Sequence, residues 1–255
     1  MQADIAQLLP IIKRKGETLV RPWQRFAIQE CGEPLVSLEA MGCFTFQDPA
    51  PYAAVGAPYG DMGPYYLRQG VAERLRRAQD NLNKLLPGWH IRIFDGLRPL
   101  AVQEYMVAYS FAEHARAKRL DPLTVEGKQK DNLLDEVYRF WSPANDDPAA
   151  PPPHSTGAAF DCTLEDDSGS ELPMGSPIDF IGEESKPEFF AEAGDMPQRG
   201  YDNARRMLHN LLAAQGFARH PGEWWHFSYG DQMWAWQNAE RGESVQAIYG
   251  KAQGG

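Results

Sequence analysis

From Val71 onward the apolar positions fall into a regular period: Val71, Leu75, Ala78, Leu82 and Leu85 recur at steps of four and three, with Arg74, Arg76, Arg77 and Asp80 between them. This spacing gathers the apolar side chains on one stripe of a helix, and Pro87-Gly88 stops it. The next run, His90-Ile91-Arg92-Ile93-Phe94-Asp95, alternates and predicts a short strand. A second helical period follows through Val102, Tyr105, Met106, Tyr109 and Ala112. Pro99 suits the first turn of that helix, so Arg98 is expected at a strand-to-helix junction. A third helix is expected across Leu133, Leu134, Val137, Tyr138 and Trp141, ending at Pro143.

Pro148, Pro151, Pro152 and Pro153 then make a stiff, extended approach to His154. Beyond it Phe160, Cys162 and Leu164 alternate with Ala159, Asp161 and Thr163, the pattern of a half-buried strand with Asp161 on the face away from Phe160. A last helix is expected from Asp202 as N-cap through Ala204, Met207, Leu208, Leu211 and Leu212, closed by Gly216. It leads into an aromatic strand over residues 217–229. Before residue 65 no long period holds; Phe44, Phe46 and Tyr52 suggest short strands, with a loop over residues 49–64. No internal repeat is visible. These elements predict an α+β fold in a single domain spanning residues 1–255.

Composition narrows the function. Lys plus Arg number 25 against 35 Asp plus Glu, a net charge of −10, and no basic block stands out, so the chain lacks the electrostatic footprint of a nucleic-acid binder. Every apolar stretch is broken by charge, Pro or Gly well short of a membrane span, which predicts a soluble protein. At the N-terminus the basic residues Lys13-Arg14-Lys15 follow the apolar patch, the reverse of a secretory signal, so a cytoplasmic protein is expected. Cys31, Cys43 and Cys162 are odd in number and form no C-x-x-C pair, which predicts free, buried thiols. No Walker A, G-x-G-x-x-G, G-x-S-x-G or H-E-x-x-H string occurs.

Two segments set polar, chemistry-bearing residues among apolar ones: PPPHSTGAAFD, with His154 and Asp161, and HPGEWWHF, with Glu223 and His226. Two imidazoles and a carboxylate are a common catalytic zinc set, because three protein ligands leave the fourth position open. A bend at residues 155–157, permitted by Gly157, is needed to bring His154 back to Asp161. His226 is expected to share a strand face with Trp224 and Ser228, and Glu223 must sit in the turn after Pro221-Gly222 to reach the same place. Singly, each residue also suits an ordinary role: a hydrogen-bonded core histidine, a turn-capping Asp161, a solvated Glu223, a surface ion pair at Arg98.

Three strings, Asp95-Gly96-Leu97-Arg98-Pro99, His154-x-x-Gly157-x-Ala159-x-Asp161 and Glu223-Trp224-Trp225-His226, resemble in order and spacing the signatures of the VanX-type D-alanyl-D-alanine dipeptidases, a zinc metallopeptidase family. Similarity extends to Pro173-Met174-Gly175-Ser176, Asp179-Phe180 and the segment from Asn203 to Phe217, about residues 65–230 in all. The resemblance implies a mostly antiparallel sheet carrying the zinc ligands, with helices packed on one side. It implies one zinc per chain on His154, Asp161 and His226, Glu223 as catalytic base, Arg98 stabilising the transition state, Asp179 receiving the substrate ammonium, and a small dipeptide as substrate. Pro152 stands where the family usually has a serine, so a hydroxyl donor near the substrate is lost. Two other readings compete: a D,D- or L,D-carboxypeptidase of the same fold, and a catalytically silent zinc-binding module.

Overall fold

The computed structural model describes residues 5–10, 12 and 20–252. The Lys13-Arg14-Lys15 cluster lies outside them. Strands β1 (Leu35–Ser37), β2 (Thr45–Phe46) and the short helix α1 (Pro51–Ala54) precede β3 (Tyr66–Arg68) and the long helix α2 (Gln69–Leu85). Strand β4 (His90–Asp95) leads into α3 (Leu100–Ala117) and α4 (Gly127–Phe140). The chain then enters β5 (Ala159–Glu165), α5 (Met196–Ala213), β6 (Ala218–Arg219), β7 (His226–Ser228) and α6 (Gln232–Glu240). The fold is α+β, as expected.

The main sheet has the order β2-β4-β5-β7-β6, and β1 pairs with β3 in a separate ribbon. The main sheet is mixed, which corrects the expected mostly antiparallel arrangement: β2 runs parallel to β4, while β4-β5, β5-β7 and β7-β6 are antiparallel. Helices also lie on both sides. Because strand side chains alternate, Ile91 and Ile93 face one way, into a core with Val71, Leu75, Ala78 and Leu82 of α2 and Leu208 and Leu212 of α5. Phe94 faces the other way and packs on a second apolar cluster built by α3, α4, Tyr52 and Trp141. Leu85, the last residue of the predicted stripe, is 76% exposed, because the helix outruns the core it covers.

Several local expectations change for physical reasons. Strand β5 is buried on both faces, not half-buried, since it is central in the sheet and its polar face is covered by the site described below. Helix α5 starts at Met196, earlier than the expected Asp202. Its N-cap is Asp195, whose side chain accepts from the Gln198 amide at 2.9 Å, and a proline occupies the first turn. Residues 217–229 form two short antiparallel strands, β6 and β7, split where Pro221-Gly222 turns the chain. Tyr52 is helical, not extended, and Pro99 caps α3 from outside it. All three cysteines are free, but only Cys162 is buried; Cys43 is half-buried and Cys31 exposed. Among the described residues no helix is long and apolar enough to cross a membrane.

Candidate active site

Three neighbouring segments aim polar side chains at one point on the face of the sheet turned from the α2–α5 core. Asp161 lies in the middle of β5, and the register of β5 and β7 places His226 directly opposite it. His154 comes from a 3-10 turn (Pro153–Thr156) that runs into β5. Gly157 ends that turn at φ +69°, and a Cβ there would lie 2.6 Å from the Leu35 side chain, so the bend needs glycine. The expected return of His154 toward Asp161 is therefore built as the spacing suggested.

The ligand-capable atoms of His154, Asp161 and His226 all lie within 4.8 Å of one another, and all three residues are buried. His226 Nδ1 is 3.0 Å from Asp161 Oδ1 and 3.1 Å from His154 Nε2, and His154 Nε2 is 3.3 Å from Asp161 Oδ2. His154 Nδ1 meets the Gly96 carbonyl at 2.8 Å. A carbonyl only accepts, so Nδ1 carries the proton and the Nε2 lone pair points into the cluster. Ligands arranged tetrahedrally around zinc at about 2.0–2.1 Å stand about 3.3 Å apart. The donor set therefore fits a small divalent cation. Burial opposes the charge of Asp161, yet the two imidazoles hold its carboxyl well below the usual carboxylate range. Burial also pushes His226 down, toward the neutral form a ligand needs.

Glu223 sits in the turn between β6 and β7, closed by its own amide donating to the His220 carbonyl. Its Oε2 is 3.8 Å from His226 Nδ1. Burial, reinforced by the charges of Asp161 and Asp179, pushes its carboxyl well above the usual range. A cation held by the cluster would act against the second effect. The face-sharing expected of Trp224 and His226 does not occur: β7 begins at His226, and Trp224 packs into the main core with its indole N–H donating to Ser176 Oγ at 3.0 Å.

Arg98 leaves β4 at the predicted junction and is buried, not a surface partner. Its Nε donates to Asp95 Oδ2 at 2.8 Å, Nη1 to Gln103 at 3.1 Å, and Nη2 to both Tyr52 and Asp161 at 3.1 Å. The guanidinium also lies over the rings of Tyr52 and Trp141, 4.7 and 5.0 Å from their centroids. Burial works against its charge, but Tyr52, Asp95 and Asp161 hold it charged. Asp179 adopts φ +63° and accepts from the Tyr52 hydroxyl at 2.8 Å. Its carboxyl is pushed up to about 7, first by burial and then by the Asp161 charge.

All six residues singled out in the sequence thus line one cleft: His154, Asp161, His226, Glu223, Arg98 and Asp179. Sequence reasoning missed Tyr52, which joins Arg98 to Asp179, and the wall made by Arg21, Trp23, Trp141 and His220. Of these only Trp141 carries a spacing signal, as the last position of the expected third helix, and that signal points to a core role. Tyr52 enters the sequence reading only as a position suggesting a short strand.

A family model described as D-ala-D-ala dipeptidase matches residues 46–243, a wider span than the motifs alone suggested. A D-alanyl-D-alanine dipeptidase of Synechocystis sp. is 42% identical over 245 residues, covering 93% of this chain and 99% of that one. Another, from Enterococcus faecalis, is 28% identical over 169 residues, covering 64% of this chain and 73% of its own. A solved structure, that of the LdcB LD-carboxypeptidase, covers 88% of this chain and 84% of its own at 15% identity, with a TM-score of 0.43.

Proposed function

The chain belongs to the D-alanyl-D-alanine dipeptidase family of metallopeptidases, and from that premise we propose that it is a zinc enzyme hydrolysing D-alanyl-D-alanine or a closely similar short D-dipeptide. The reading is supported above all by the convergence of a His-Asp-His cluster with a carboxylate, a guanidinium and a second carboxylate in one cleft. Zinc held by His154 Nε2, Asp161 and His226 Nδ1 would supply Lewis acidity, lowering the pKa of a coordinated water to about 7. Gly96 and Arg98 hold the first two of these ligands in orientation through hydrogen bonds to His154 and Asp161. Glu223 takes the proton of the attacking water and returns it to the leaving amine. Arg98, fixed on four partners and two rings, offsets the negative charge that develops on the scissile oxygen. Asp179 accepts the substrate ammonium, which restricts cleavage to short peptides with a free amino end.

Hydrolysis of a panel of D,D, L,D and L,L dipeptides, with and without a chelator, tests this reading. Chelator-sensitive cleavage confined to D,D substrates supports it, and absence of dipeptide cleavage in the zinc-loaded protein removes it. Arg98→Ala is expected to lower kcat by about 10²–10³ with a smaller change in KM. Because Arg98 also bonds Asp161, metal content is measured in parallel. A large KM rise at constant kcat would assign Arg98 to ground-state binding. For Asp179, N-acetylation of the dipeptide is expected to cripple cleavage by the native enzyme, and Asp179→Asn to narrow the gap between free and acetylated substrate. Equal native rates on both would show that the amine is not read.

A further inference from the structure

A free dipeptide carries a carboxylate as well as an ammonium, and a carboxylate entering a cleft already lined by Asp161, Asp179 and Glu223 needs a cation to meet it. Four of the five N–H groups of Arg98 are spent on Asp95, Gln103, Tyr52 and Asp161, and its proposed role is at the scissile oxygen, so it is not the cation for the carboxylate. Pro152, on the cleft wall, has no donor to offer. The remaining cations of the cleft are Arg21 and Arg139.

Arg21 is the better placed of the two. It caps a 3-10 turn (Pro22–Arg25) clamped onto α6, where Gln232 donates to the Phe26 carbonyl at 2.6 Å and to the Gln24 carbonyl at 3.3 Å. The next residue but one, Trp23, packs edge-on against His220, itself edge-on to His226, so this turn forms part of the cleft wall. The Arg21 side chain is hydrogen-bonded through Nη2 alone, to the carbonyls of Tyr138 and of Trp141, the latter at 3.0 Å, and its guanidinium lies over the Trp23 ring, 5.9 Å from the centroid. Among the described residues nothing accepts from its Nε, and no hydrogen bond engages Nη1. Burial disfavours its charge, with Glu223 as the compensating anion. A guanidinium held this way is positioned before the ligand arrives and retains donors for it.

Building on the dipeptidase reading, we propose that Arg21 is the specificity residue for the substrate's α-carboxylate, with Arg139 on the same wall adding charge, so that the segment before β1 completes the substrate site.

The test compares D-alanyl-D-alanine with its C-terminal amide on the zinc-loaded full chain. The native enzyme is expected to favour the free acid by about tenfold or more in kcat/KM, mainly through KM. Arg21→Gln is expected to bring the acid-to-amide ratio to within about twofold of one, with the loss falling on the free acid and mainly through its KM, a selective effect that a merely structural role of Arg21 would not give. Should that variant fail to fold, Arg21→Lys decides: with two of an ammonium's three donors on the carbonyls of Tyr138 and Trp141, one remains for the carboxylate where the planar guanidinium offers two, so the ratio must fall at least about threefold. A native ratio near one, or a ratio that survives either folded variant, overturns the proposal. If the native protein cleaves neither substrate, the dipeptidase reading fails instead. Calorimetric binding of D-alanine against D-alaninamide to native and Arg21→Gln proteins then still reads Arg21: loss of a preference for the acid supports the proposal, and no preference in the native protein overturns it.

Discussion

His154→Ala and His226→Ala are each expected to leave a folded protein that retains less than about a tenth of the native zinc and hydrolyses no dipeptide. Folding should survive because the cluster is not held together by a cation alone. Asp161, the anion at its centre, keeps Arg98 at 3.1 Å and one imidazole in either variant. Metal binding should not survive, since two protein ligands remain where a catalytic zinc site uses three. Thermal unfolding provides a second reading of the same event. A ligand that binds only the native state raises its stability with concentration, so added zinc should raise the Tm of the native protein and leave both variants unmoved. Full zinc occupancy in both variants would remove the site.

The elements that sequence periodicity located are those whose faces meet an apolar core. Val71, Leu75, Ala78 and Leu82 mark α2 because each is fully buried against the sheet, and Ile91 and Ile93 mark β4 for the same reason. The pattern weakens where burial is two-sided or polar. Strand β5 alternates apolar and polar residues, yet both faces are covered, one by the core and the other by the His-Asp-His cluster, and alternation alone cannot distinguish a solvated polar face from a polar site. The start of α5 was missed because its apolar period begins only at Ala204, while the turns from Met196 are held by the Asp195 cap and a proline.

Site residues divide along a similar line. His154 with Asp161, and Glu223 with His226, are each separated by a few residues, so one local bend or turn brings each pair together and leaves a string that can be read. Tyr52 and Arg21 reach the cleft from the first quarter of the chain, through contacts with residues that lie 46 to 127 positions away, and no short string records such a meeting. The parallel pairing of β2 with β4 is a long-range event of the same kind: β2 is two residues long, too short to carry any period.

Replacing Glu223 by Gln is expected to leave zinc content unchanged and to reduce turnover by about 10³ or more, near the upper end of what a general base contributes. The two halves of this expectation follow from position. Glu223 lies outside the three-residue cluster, its Oε2 3.8 Å from His226 Nδ1, so its loss removes no ligand. It is also buried in the same cleft and held by the turn at Pro221-Gly222, so it can hand a proton over a short path without leaving its place. Burial and the neighbouring carboxylates push its carboxyl well above the usual range, and a cation held beside it would act in the opposite sense. The sign of the pH effect follows. Acidification through that pKa protonates the base, so kcat/KM of the native enzyme should fall on the acid side, and Glu223→Gln, which has no proton to gain, should show that limb flattened. Near-native turnover in a zinc-replete Glu223→Gln protein would transfer the role to another group. The closest candidate is His220, whose Nδ1 is 3.7 Å from Glu223 Oε1, but burial above all pushes its pKa well below the usual histidine range. A base so weakened would be a poor proton acceptor, so the proposed role of Glu223 would then have to pass to a group outside this turn.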